Sequence, residues 1–219
     1  MDKRLQTCLD LYVPGDTGAD IGTDHALLPC AVLRRGLCRH MILSDISPSA
    51  LEHARQQVQR QGLEDRVTLR LADGLQALDR TCCCISVTGM GGIHMSELLL
   101  SGQPFLHNAA LVLSPHRDHD RVRRALSEIG YRLTDEMLCF SNGRFYLAMR
   151  AVPGTPDRDE SHLRYGSLLF EKRDALTRDY IAHQIALLRE QICAREAALT
   201  PAEDLKEDLA FYLGKENAL

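Results

Sequence analysis

Four acids stand where apolar runs give way to turns: Asp20, Asp24, Asp45 and Asp73. The first two lie in Ala19-Asp-Ile-Gly-Thr-Asp-His-Ala-Leu-Leu-Pro29, where a short strand ends at Gly22 and a helix is expected within a few residues. A strand that turns sharply into a helix sets backbone N–H groups and the positive end of the helix dipole beside a ligand. Asp45 follows Gly22 by 23 positions, at the end of Met41-Ile-Leu-Ser-Asp45. A carboxylate there can accept both hydroxyls of a ribose. Asp73, in Ala72-Asp-Gly74, can meet the exocyclic amine of an adenine. Where a dinucleotide site shows GxGxxG, this turn reads Gly22-Thr-Asp-His-Ala-Leu, with one glycine. That pattern suits a nucleoside without a pyrophosphate. Asp24, next to His25, is either a cap for the following helix or an acid facing the ligand.

Two further groups fall at expected strand ends. Gly89-Met-Gly-Gly92 permits close backbone approach to a ligand and starts a helix, or is an ordinary tight turn. Arg117, Arg121 and Arg124 are spaced i, i+4, i+7, on one face of an expected helix with Arg123 beside them. They read as a phosphate-contacting patch, or as a solvated face offset by Asp118, Asp120 and Glu128. The eight cysteines include no C-x-x-C pair. Consecutive Cys82, Cys83 and Cys84 fall in an expected strand, point to alternate faces and cannot converge on one ion. No metal is expected, and the cysteines read as small buried apolar residues in a reducing compartment.

The elements that must position these groups follow from periodicity and punctuation. Strands are expected at Thr17–Ile21, His40–Ser44, Val67–Leu71, Cys82–Thr88 and Ala110–Ser114. Helices alternate with them: about Ala26–Arg35, from a Ser47 cap with Pro48 first in the helix to Gly62, from the glycine turn to Leu100, and Asp118–Ile129. A short helix carrying Leu5, Cys8, Leu9 and Tyr12 precedes them. Arg132–Phe140 and Phe145–Ala151 form a hairpin turned by Ser141-Asn-Gly143, because Asn-Gly between strands is a strong hairpin signal. Five β/α alternations closed by an antiparallel hairpin describe a class I (Rossmann-like) methyltransferase fold with a mostly parallel seven-stranded sheet.

Val152-Pro-Gly-Thr-Pro-Asp157 has linker composition, so the expected domains are residues 1–153 and a C-terminal helical hairpin over 154–219. In the latter, Ile181, Ile185, Leu188, Ile192 and Leu199 form a heptad-like stripe, interrupted by Arg195. Thr200-Pro-Ala-Glu203 reads as a capping box opening a helix with Leu205, Leu209 and Leu213. At 219 residues and 45% hydrophobic content the chain is globular. No apolar run of 18 residues and no signal peptide is visible, so a cytoplasmic protein with no membrane partner is expected. A net charge of −4 means that any nucleic-acid contact rests on a local patch.

Arg4-Leu5, Val13-Pro14, ADIGTDHALLP, the Asp45 region, Gly62-Leu63, RLADGL over residues 70–75 and GMGG together resemble the bacterial tRNA (adenine-22-N1)-methyltransferase family, TrmK. The resemblance spans roughly residues 3–151, and the helical tail matches the family's layout. It implies methylation at N1 of an adenosine in tRNA, A22 in the D-arm, with S-adenosyl-L-methionine as cofactor. Asp20, Gly22, Asp45, Asp73 and Gly89 then line the cofactor site, with His25, Ile46, Ala72, Gly74 and Met90 expected beside them. Asp24 becomes the catalytic acid next to the target adenine. Arg4, Gly91, Gly92, His116, Arg117, Arg121 and Arg124 are expected on the RNA side, and a monomer or weak dimer is expected. Two departures stand out: Ser114-Pro-His116 replaces the family's Gln-Pro-Asn, and strand four, rich in β-branched residues in the family, begins here with three cysteines. A small-molecule methyltransferase and a non-catalytic RNA-binding protein on the same fold are the alternatives.

Overall fold

The computed structural model describes residues 1–79 and 81–218, so Leu219, the last residue of the expected helical unit, lies outside it. Strands β1 (Gly15–Ile21), β2 (Cys38–Asp45), β3 (Val67–Leu71), β4 (Cys84–Thr88), β5 (Ala110–Ser114), β6 (Tyr131–Ser141) and β7 (Arg144–Pro153) form one sheet in the order 3-2-1-4-5-7-6. The first five strands run parallel, and β7 joins antiparallel between β5 and β6. The hairpin turns at Asn142 and Gly143, both at positive φ (51° and 74°). Two such residues make the turn whose twist matches the flanking strands.

Consecutive Met41, Ile42 and Leu43 are all buried. Neighbouring strand residues face opposite ways, so both faces of the sheet are covered. On one face α1 (Lys3–Asp10), α2 (Leu27–Arg34) and α3 (Pro48–Arg60) bury Leu9, Leu33 and Val58 against Met41, Leu43, Cys84 and Val112. Helices α4 (Gly92–Ser101) and α5 (His119–Glu128) pack on each other. Ser47 caps α3 by accepting from the Ala50 amide at 3.3 Å, as its position before Pro48 requires. Such a cap contributes about 1 kcal/mol.

Three expectations are corrected. Strand β4 begins at Cys84, not Cys82, and the Cys83 amide instead donates to the Thr17 carbonyl at 2.8 Å. The Cys83 Cβ occupies the space where Gly15 would carry its own, and Cys83 Sγ lies 3.5 Å from Cys38 Sγ. The apolar stripe on α8 (Ala175–Ala197) ends at Ile192: Leu199 follows the helix at φ 54° and is 94% exposed. Helix α9 (Glu203–Ala218) starts at Glu203, and Thr200 Oγ1 donates to the Arg195 carbonyl rather than capping α9. Arg195, which interrupts the apolar pattern, reaches Pro201 O at 3.1 Å and Asp204 Oδ1 at 2.6 Å and ties the turn between the two helices.

The chain forms two compact units, Met1–Ser167 and Leu168–Leu219. The segment after β7, with α6 (Glu160–Tyr165), is bound to α5. Ser127 Oγ donates to Asp157 O at 2.7 Å, Arg124 pairs with Glu160, and Arg123 Nη1 reaches Arg164 O at 3.3 Å. In the second unit α7 (Leu168–Glu171) and α9 carry an aromatic cluster in which the Phe170 and Phe211 rings stand 5.5 Å apart edge-on. Helix α8 packs along α9.

Arg123 and Glu136 form a buried pair at 2.8 Å, 3% and 0% exposed, directly under Gly166. Removing one member leaves the other charge buried and unpaired. Arg123→Ala or Glu136→Ala is therefore expected to lower the unfolding free energy in urea by about 3–5 kcal/mol. The double variant Arg123→Met/Glu136→Leu, which leaves no orphaned charge, is expected to recover most of that loss.

Candidate functional site

The sheet order reverses between β1 and β4: from β1 the chain builds outward to β2 and β3, then crosses back to β4. Loops leaving the two strands diverge there and open a crevice at their carboxyl ends. Two connected hollows fill it. One, of about 570 Å³, is lined by Ile46, Asp73, Gly74, Leu75, Met90, His94, Glu97 and Leu98. The other, of about 470 Å³, is lined by Arg4, Asp20, Gly22, Thr23, Asp24, His25, Thr88, Gly89 and His116, among others. Met90 of the first reaches toward Gly22 of the second, where a Cβ on the glycine would meet its Cε at 3.5 Å. Gly22 and Gly89 both adopt positive φ (75° and 85°), a conformation that glycine takes without strain.

Asp20 is the buried centre of the site. It pairs across the β1–β4 boundary with Ser86, whose hydroxyl donates to Asp20 Oδ1. Burial pushes the Asp20 carboxyl up to about 6, against the pull of Ser86. Asp45 ends β2, and its Oδ1 accepts from the Ser47 amide at 2.8 Å, which fixes the carboxylate. The buried Thr23 hydroxyl lies beside the Asp20 carboxyl and, like Ser86, pulls its pKa down against burial.

Several placements differ from expectation. The Gly22 and Thr23 amides are not free for a ligand, because both donate to the Ser44 carbonyl, at 2.8 and 3.0 Å. Gly92 likewise donates to Arg117 O at 3.0 Å, and a Cβ there would sit 2.3 Å from Asp118 O. Asp24 does not cap α2, whose first turn follows Ala26 without any side-chain cap. Its carboxylate instead accepts from His53 Nδ1 at 3.0 Å and lies 3.3 Å from His25 Nε2. Arg117 precedes α5, whose entry is Asp118 at φ 56°, so it shares no helix face with Arg121 and Arg124. Arg124 is held by Glu160 at 2.8 Å, whereas Arg117 and Arg121 are exposed.

The hollows bring together Arg4, Asp20, Gly22, Asp24, His25, Gly89 and His116 on one side and Ile46, Asp73, Gly74 and Met90 on the other. Asp45, Ala72, Gly91, Gly92, Arg117, Arg121 and Arg124 stand outside their linings. Sequence reasoning missed His94, Glu97 and Leu98, which share one face of α4 directly after the glycine turn. Their i, i+3, i+4 spacing was the available signal. His53 was also missed, and no linear pattern joins it to a residue 29 positions earlier.

Asp20 and His119 titrate in opposite senses. Burial, with Arg123 close by, holds the His119 imidazole down at about 4. A carboxyl raised in the fold makes stability fall as pH rises from about 4 to 6. An imidazole lowered in the fold makes stability rise between about 4 and 6.5. The two effects oppose each other at about 3 kcal/mol each. Chemical denaturation at pH 4 and pH 7 tests this. Asp20→Asn is expected to gain stability relative to the parent as pH rises, and His119→Gln as pH falls.

Residues 1–149 match the family model described as "Methyltransferase domain". The chain is 31% identical over 164 residues to the tRNA (adenine(22)-N(1))-methyltransferase of Bacillus subtilis (strain 168), covering 74% of this chain and 68% of that protein. The structure of Streptococcus pneumoniae Sp1610 in complex with S-adenosyl-L-methionine superposes with a TM-score of 0.84 at 26% identity, over 95% of this chain and 99% of that one. The B. subtilis m1A22 tRNA methyltransferase TrmK shares the fold, with a TM-score of 0.82 at 24% identity over 99% and 96% of the two chains. With nearly its whole first unit matched and its nucleoside crevice at the β1–β4 reversal, the chain belongs to the tRNA (adenine(22)-N(1))-methyltransferase family.

Proposed function

We propose that the protein methylates N1 of adenosine 22 in tRNA, using S-adenosyl-L-methionine. The observation that carries this reading is a crevice at the β1–β4 reversal lined by Asp20 and Asp73, with Asp45 at the end of the strand between them, in a chain of this family. The residues present fit the methyl donor. Asp45, with one oxygen fixed by the Ser47 amide, has the other oxygen for ribose hydroxyls. Asp73 and Gly74, with Leu75, Met90 and Leu98, offer a polar edge and apolar walls to an adenine. The buried Asp20 carboxyl, with the Thr23 hydroxyl beside it, suits the donor's charged end. A cation beside Asp20 favours its carboxylate form.

The sulfonium of bound S-adenosylmethionine supplies an already activated methyl group, so the protein contributes alignment and charge. Alkylation at N1 leaves a positive charge on the adenine ring. Asp24, in the hollow with Thr88, Gly89 and His116, presents a carboxylate that stabilises this developing charge. It can also take up the N6 proton. An adenine in a folded arm must leave its stack to enter the hollow, which requires grip on the flanking phosphates. The exposed Arg117 and Arg121 serve that grip, with Arg4 in the lining of the hollow; Arg124, committed to Glu160, does not.

Incubation with unmodified tRNA transcripts and labelled S-adenosylmethionine, followed by base mapping, tests the reading directly. Label at N1 of adenine 22 is expected, and no label in any tRNA overturns it. Two variants separate the roles. Asp24→Asn is expected to lower kcat about 100-fold with donor affinity retained. Asp45→Ala is expected to weaken donor binding about 10- to 100-fold, for the loss of charge-assisted hydrogen bonds. Calorimetry and single-turnover rates report the two effects separately.

A further inference from the structure

We propose that Asp24, His25 and His53 form a binding site for one divalent transition-metal ion, of the zinc type, at the mouth of the substrate hollow. One ligand atom from each of the three lies within 4.8 Å of the other two. The His25 and His53 rings are stacked with centroids 5.4 Å apart and planes 21° from parallel. Both therefore turn a nitrogen to the same carboxylate, His53 Nδ1 to Asp24 Oδ1 at 3.0 Å and His25 Nε2 to Asp24 Oδ2 at 3.3 Å. Bonds of about 2.0–2.2 Å in a tetrahedral zinc site place ligand atoms roughly 3.3–3.5 Å apart. The two nitrogen-to-carboxylate distances are already close to that, and the two imidazole nitrogens lie within 4.8 Å of each other. An ion entering there takes the place of the proton between His53 Nδ1 and Asp24: a cationic His53 releases that proton to water, and a neutral one carries it on Nε2 instead after exchange with water.

The supports of the site come from separate parts of the fold. Asp24 and His25 belong to the loop whose Gly22 and Thr23 amides are anchored on Ser44 O, and His53 projects from α3. Two imidazoles and one carboxylate select borderline transition ions over magnesium or calcium, which require mostly oxygen ligands. Three protein ligands leave the fourth position to water. All three side chains are at least half exposed, at 50–65%, so ions enter and leave freely. An ion held here takes Asp24 away from an incoming adenine, so zinc is a reversible inhibitor of methyl transfer. That consequence, unlike the binding itself, rests on the role assigned to Asp24 above.

Calorimetric titration of the full chain with zinc chloride tests the binding, in a Cys193→Ser background that removes the exposed thiol. One ion per chain is expected, with no heat from magnesium chloride and at least tenfold weaker zinc binding in His53→Gln. Absence of zinc binding, or equal binding by His53→Gln with its fold verified by circular dichroism, overturns the site. In the methylation assay zinc is expected to inhibit the parent, EDTA to restore it, and His53→Gln to resist zinc. Zinc bound through His53 with methylation unchanged overturns the inhibitory consequence, and with it the role of Asp24, while the metal site stands.

Discussion

A carboxyl group buried between two central strands sets the terms for the rest of the structure. Asp20 lies where the sheet reverses its order, and its register partner Ser86 is the hydroxyl that satisfies it. Burying a carboxylate without a cation is unfavourable, so a positive charge arriving beside the group is stabilised by it and favours its ionised form further. The surrounding architecture converges on that point. β4 is the middle strand with β1 beside it, both faces of the sheet are covered, and the loops leaving these two strands part to form the crevice. A site of this kind needs little catalytic apparatus, because the donor brings its own activation and the protein supplies position and a well-placed negative charge.

Much of this order was legible in the chain. The β/α alternation, the Ser47–Pro48 helix start and the Asn142-Gly143 turn are local signals, and each fixes an element whose residues are neighbours in sequence. The acids at the ends of β1, β2 and β3 were legible for the same reason, since strand ends can be read from where apolar runs stop. The errors arose where a distant partner decided the outcome. Cys82 and Cys83 have a strand-like composition, yet Gly15 across the sheet leaves room for the Cys83 side chain to turn inward before the ladder begins. Leu199 fits a heptad, yet Arg195 bonds the next turn and ends the helix first. Arg117 fits a helical face, yet the chain must pass over Gly92 before α5 starts.

The same distinction applies to the candidate site. Types and spacing singled out Asp24 but not its surroundings, because His53 arrives from a helix whose own pattern concerns only its buried side. Metal ligation was sought among the cysteines, the residues most associated with it, while the cluster with suitable geometry is made of histidines and an acid. The linker composition after β7 is a local signal of the same kind. Proline and glycine mark where a chain can bend, and the segment after Pro153 does bend, but Arg124, Ser127 and Arg123 fasten it back onto α5.

The close packing of Gly92 under the backbone of residues 117 and 118 has a consequence for how such an enzyme can diversify. The Gly92 amide bonds Arg117 O, the His116 amide bonds Met90 O, and no Cβ fits between them. The loops after β4 and β5 are thus fastened together. Exposed side chains of the outer loop, such as His116 and Arg117, are free to vary, while buried Ser114, bonded to Leu147 O, and the path of the backbone are not. Lineages carrying this joint can alter what they say to an RNA by exchanging side chains, but insertions or deletions there would disturb the donor pocket at the same time.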